Sequence, residues 1–74
     1  MTSFEKALGE VIARERKQQS LTQEGLAHLC GVHVTYVSQL ERGLKSPTVR
    51  ILRLLAISLN TTAAKLLQRA EQSE

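Results

Sequence analysis

Gly31 stands between two short runs of apolar residues at helical spacing, and no other feature of this chain restricts its fold as tightly. Before it, Leu26, Ala27 and Cys30 share one helical face; after it, Val37 and Leu40 do the same. A glycine at this point lets the backbone take φ > 0 at little steric cost, so it ends the first helix and turns the chain. Ala27 is small where the two helices must approach each other. Val32 follows the glycine as an apolar plug beneath the turn, and Val37 and Leu40 anchor the second helix on the first.

The rest of the chain has to supply helices for this pair to pack against. The 74 residues contain no Trp, one Phe, one Tyr and one Pro, so the core must be aliphatic. Leu, Ile, Val and Ala at helical spacing point to an all-α fold, a five-helix bundle. Residues 1–74 are expected to form a single domain. A chain this small buries only about 60% of its unfolded surface, and dimerisation is a common remedy.

The first helix is expected over about Phe4–Gln18, capped by Thr2 with Glu5 or by Ser3 alone, with Phe4, Leu8, Val11 and Ile12 as its stripe. Arg16 continues that stripe, and a charge on a core face needs a partner. Thr22 caps the second helix and Glu24 suits its positive end. The third helix covers about Val34–Glu41, capped by His33 or entered directly, and Arg42-Gly43 closes it. Ser46 as cap and Pro47 at the first helical position predict a fourth helix to about Leu59, with Asn60 in a left-handed cap. Thr62 caps a fifth over about Ala63–Glu71.

Charge is unevenly spread. Residues 1–24 hold four Glu and four Lys or Arg, which cancel, whereas Arg42 to Arg69 hold six basic residues and no acid. A one-sided positive field attracts a polyanion, although by charge alone a solvated face explains it equally well. The single Cys30 excludes an internal disulfide and a cysteine-based zinc site; a buried inert thiol is the favoured reading over a redox sensor. There is no apolar run long enough for a membrane span and no signal-peptide pattern, so a cytoplasmic location is expected. No metal-ligand cluster, nucleophile–base pair or glycine-rich phosphate loop is present. The chain is therefore not read as an enzyme, and no cofactor, metal or small-molecule ligand is expected.

The stretch 22–43, TQEGLAHLCGVHVTYVSQLERG, has the small–glycine–aliphatic spacing of a helix-turn-helix. It resembles the phage Cro and repressor class, often called the Xre family. The matching residues are Thr22-Gln23, Leu26-Ala27, Gly31, Tyr36-Val37-Ser38 and Glu41-Arg42-Gly43. The Ser46-Pro47-Thr48 start and the Leu52, Leu55-Ala56 and Leu59 helix also match, so the similarity spans about residues 8–68. GVHVTYVSQLERG is similar, more narrowly, to controller proteins of restriction–modification systems. Two positions depart from the pattern. Gly25 stands where the family usually has Glu, which removes a capping box worth about 1 kcal/mol. Ser20 replaces a glycine that often ends the first helix, and needs a strained or longer turn.

The resemblance implies a double-stranded DNA partner, with the second helix of the motif in the major groove. His33, Val34, Thr35, Ser38 and Gln39 would then face base edges. Gln39 suits adenine, and the methyl groups of Val34 and Thr35 suit thymine. Gln23 falls at the phosphate-gripping position, with Thr22 as cap and secondary contact. Tyr36 would reach a phosphate through its hydroxyl or merely shield the motif. Arg42, Lys45 and Ser46, with Arg50 beside them, would contact the DNA backbone. Arg16 and Glu41 fall where the family pairs an arginine with a glutamate, a structural ion pair that fixes the angle of the reading helix.

The fourth helix carries more apolar surface than one core needs. Val49, Leu52, Leu55, Ala56 and Leu59 make the inward stripe, while Ile51, Leu54 and Ile57 point elsewhere. A helix apolar nearly all round is expected to be buried all round. A second copy of the chain would cover that face, with Leu66, Leu67 and Ala70 extending the patch; the fifth helix folding over it within one chain is the alternative. The expected function is a sequence-specific transcriptional regulator acting as a homodimer on a palindromic operator. The competing reading is an antitoxin or interaction module whose main partner is another protein.

Overall fold

Ser3 starts the first helix: its backbone is extended and its hydroxyl accepts a hydrogen bond from the Lys6 amide at 3.2 Å. The computed structural model describes residues 3–73, so the alternative cap at Thr2 lies outside the described residues. Five helices follow in order: α1 (Phe4–Gln18), α2 (Gln23–Cys30), α3 (Val34–Glu41), α4 (Val49–Ser58) and α5 (Ala63–Ser73). The all-α architecture expected from the sequence is the one observed.

The four connections share one physical solution. Ser20, Gly31, Gly43 and Asn60 all take positive φ, between 57° and 75°. In each case the next residue's N–H returns to a carbonyl five residues back: Leu21 to Arg16, Val32 to Ala27, Leu44 to Gln39 and Thr61 to Ala56, at 2.9–3.1 Å. This satisfies carbonyls that a helix end otherwise leaves bare. Ser20 makes this turn without being glycine, at φ 58°, a conformation that costs a residue with a Cβ roughly 1–2 kcal/mol.

The core is aliphatic throughout. Ile12, Leu26, Leu40, Leu55, Leu59, Leu66, Val11 and Val37 are its fully buried side chains. α1 is the central element, packed against α5 on one side and α3 on the other; α2 lies against α3 and α4. Phe4, Leu21 and Val32 are half-buried against this core.

Three expectations are corrected here. α4 begins at Val49, capped by Thr48 and not by Ser46, because the Thr48 hydroxyl accepts from the Ile51 amide at 3.1 Å. Pro47 therefore precedes the helix, and it biases Ser46 towards extended backbone. As a result Val49 leaves the inward stripe and is 74% exposed. Finally, Leu66 and Ala70 are completely buried within their own chain, because α5 lays that face on the core. An Arg69–Glu15 ion pair at 3.0 Å ties the same two helices together. Leu66 and Ala70 therefore reach no second molecule, and Leu66 is withdrawn from the dimer surface.

Candidate functional site

α3 has a buried side and an exposed side, set by its apolar spacing. Val37 and Leu40 are buried to 1% exposure or less, which turns Thr35, Ser38 and Gln39 to the opposite face. Thr35 is exposed and Ser38 and Gln39 are half-exposed. Val34 and Tyr36 flank this face, half-buried with one side packed against the core, so Val34 stands at the edge of the outward face. Its i,i+3 spacing to Val37 draws it to the core side. His33 is the N-cap of α3, and its Nδ1 accepts from the Thr35 amide at 3.1 Å. The other ring nitrogen, Nε2, is then the one that carries a proton in the neutral ring and is left to donate.

A buried ionic cluster holds the far end of that helix. Arg16 Nε donates to Glu41 Oε2 at 2.7 Å and Nη2 to Oε1 at 3.0 Å, a two-pronged pairing. Arg16 Nη1 also donates to the Leu21 carbonyl at 2.9 Å. The two side chains are only 11% and 6% exposed. Donating hydrogen bonds to Glu41 raises the Arg16 pKa above the ordinary arginine value; burial opposes this and is outweighed. The ion pair expected from the sequence thus exists, and it links the end of α1 to the last residue of α3.

The cluster has a member that sequence reasoning placed elsewhere. Gln23, expected on a phosphate, donates Nε2 to Glu41 Oε1 at 2.9 Å. An amide nitrogen carries two protons, so one remains for an anion. The contact orients Gln23 at the start of α2, where Thr22 caps the helix by accepting from the Gly25 amide at 2.9 Å. This bond survives the missing glutamate; what Gly25 lacks is the side chain that would reach back to Thr22. The signal for the Gln23 contact was the need of a buried carboxylate for more than one donor.

After α3 the chain presents Arg42, Lys45, Ser46 and Arg50, all exposed. Arg42 Nε lies 3.4 Å from the Ser38 carbonyl, a long hydrogen bond that leaves the guanidinium free to move. Cys30 is buried, with Sγ 3.5 Å from the Ser58 hydroxyl. Among the described residues, no group of His, Cys, Asp and Glu is arranged to hold a metal ion, and no helix is long and apolar enough to cross a membrane.

The arrangement has known counterparts. Residues 12–66 match the helix-turn-helix family model HTH_3. The chain is 40% identical over 62 residues to control protein C.SmaI of Serratia marcescens, covering 84% of this chain and 74% of that protein. It is 35% identical over 68 residues to the HTH-type transcriptional regulator y4dJ of Sinorhizobium fredii, covering 92% and 88%. Among solved structures, the clp gene regulator ClgR of Corynebacterium glutamicum superposes with a TM-score of 0.92 at 29% identity, covering 97% of this chain and 77% of that one. The restriction–modification controller C.AhdI of Aeromonas hydrophila gives 0.80 at 30% identity, covering 82% and 92%. The chain belongs to the Xre-type helix-turn-helix family of DNA-binding transcriptional regulators.

Proposed function

We propose that this regulator binds a palindromic operator as a homodimer, with α3 of each chain in the major groove. The observation that carries the reading is the exposed face of α3: Thr35, Ser38 and Gln39 stand together, away from the core, on a helix whose end is pinned by Arg16 and Glu41. Gln39 supplies a donor and an acceptor for adenine, Thr35 a hydroxyl and a methyl, and His33 and Ser38 further hydrogen bonds. Val34, at the flank of this face, makes an apolar contact with a thymine methyl. Thr22, Gln23, Tyr36, Arg42, Lys45, Ser46 and Arg50 hold the phosphates. The buried Cys30 thiol suits a reducing cytoplasm.

The second copy covers the outer face of α4. Ile57 is 68% exposed, Ile51 and Leu54 are half-buried beside it, and Leu67 of α5 is half-buried. Val49 joins them, and with Arg53 it lines a shallow groove running to Ala63 at the start of α5. Two-fold pairing places the reading helices about one turn of DNA apart, roughly 34 Å.

Selection of bound sequences from a random DNA pool tests this. The expected product is a palindrome with half-sites about one turn apart. Arg42, Lys45 and Arg50 from two chains predict a slope of about −5 in log affinity against log salt. Enrichment of no sequence, with weak salt-sensitive binding to all DNA, would overturn the reading and direct attention to a protein partner.

A further inference from the structure

The end of α3 is held by more than its ion pair. Gly9 is buried in the middle of α1, where a Cβ would run into the Leu40 carbonyl oxygen and stand 2.6 Å from the Glu41 carbonyl oxygen. Gly43 lies just beyond α3 at φ 75°, and a Cβ there would stand 2.6 Å from Lys6 Cα and 2.9 Å from Lys6 N. The atoms met are backbone, together with the Lys6 Cβ at 2.9 Å, and no rotamer change moves any of them. Lys6, Gly9 and Arg16 fall on one side of α1 by helical spacing, so α1 touches the Leu40–Gly43 turn along a line.

We infer that Gly9 and Gly43 are positioning residues for DNA reading, a backbone-to-backbone seat that sets how far α3 stands out from α1. The inference rests on the operator-reading role proposed for α3. Moving a Cβ from 2.6 Å to ordinary contact requires a shift of about 1 Å. Gln39 adjoins Leu40, so the shift passes to the reading face. Hydrogen bonds to base edges weaken steeply with such misplacement. Phosphate contacts through long, flexible lysine and arginine stems absorb it. Binding to the operator therefore falls while binding to unrelated DNA persists.

Gly31 provides an internal control: it has φ 68°, close to that of Gly43, but no atom lies within 4 Å of its would-be Cβ. The experiment compares Gly43→Asn, Gly31→Asn and Gly9→Ala. Each is made in a Ser20→Gly background that relieves a strained turn elsewhere, and folding is verified by circular dichroism. Affinity is measured for the selected operator and for scrambled DNA. The ratio of the two is expected to fall at least about tenfold in Gly43→Asn and Gly9→Ala, the equivalent of one lost bidentate base contact. In Gly31→Asn it should stay within about threefold of the parent. Residual dipolar couplings on the free variants should show α3 displaced from α1 in the first two alone. Unchanged ratios and couplings in either seat variant would overturn the inference. A parent protein that does not prefer its operator would instead overturn the reading role on which it rests.

Discussion

Replacing Arg16 with alanine removes three hydrogen bonds at once and leaves Glu41, 6% exposed, with Gln23 as its remaining partner. Removing one member of a buried ion pair costs about 3–5 kcal/mol, because the other charge stays out of water uncompensated. A domain of this length has a total stability of roughly 4–11 kcal/mol. At about 4–8 °C per kcal/mol, the midpoint of thermal unfolding should fall by something on the order of 12–40 °C. Binding to every DNA sequence should then weaken alike at temperatures where the variant is partly unfolded. The Arg16 pKa is raised, so its stabilisation is full below the ordinary arginine pKa and lost only as pH rises through the higher folded value. Arginine titration therefore leaves the loss constant between pH 6 and 9, which unfolding at several pH values checks. Replacing both partners, Arg16→Met with Glu41→Leu, removes the stranded charge and should recover about 2 kcal/mol or more relative to Arg16→Ala. Circular dichroism melts of the parent and the two variants provide the assay. A midpoint within about 5 °C of the parent for Arg16→Ala would mean that the pair contributes no more than an exposed salt bridge.

Three further outcomes follow from separate features. Ser20→Gly removes the left-handed strain at φ 58°; net of the larger backbone entropy glycine loses on folding this is about 1 kcal/mol, which should raise the melting midpoint by about 4–8 °C, read by the same melts. Gly25→Glu should stabilise α2 by about 1 kcal/mol, since it restores the reciprocal bond to Thr22 and removes a helix glycine. The new Cβ would stand 3.3 Å from the Thr22 hydroxyl and 3.6 Å from Leu21 Cδ2, both side-chain atoms, so chemical denaturation should show a raised midpoint with unchanged slope. Ile57→Lys places a charge on the exposed apolar face of α4 and should leave the chain folded but monomeric by sedimentation, with operator affinity reduced by tenfold or more.

Much of this fold was legible because its signals are local. Gly31 and the spacing around it locate α3, and Val37 and Leu40 locate its buried side, which leaves the polar residues on the other. Arg16 announced a partner by standing on a core stripe, and Glu41 is that partner at the expected position. What escaped depends on contacts between elements distant in the chain. The Ser46-Pro47 pair has the form of a helix start, but Thr48, one residue on, supplies the hydroxyl that reaches the free amide. Leu66 and Ala70 looked spare because periodicity gives a helix its apolar face without saying what that face meets; here it meets α1. Gly9 gave a readable sign that was missed: a glycine inside a helix costs about 1 kcal/mol against alanine, and such a residue commonly marks a close approach.

The central claim is that α3 reads bases through the face bearing Gln39. A loss-of-contact measurement tests it most directly. Affinities of the parent and of Gln39→Ala are measured for the selected operator and for variants altered one symmetric base pair at a time. At one adenine position the parent should lose about 1–3 kcal/mol per half-site on base change, and Gln39→Ala should lose almost nothing there while still discriminating at the other positions. If Gln39→Ala discriminates at every position as the parent does, this face of α3 does not read the DNA, and the account is wrong at its centre.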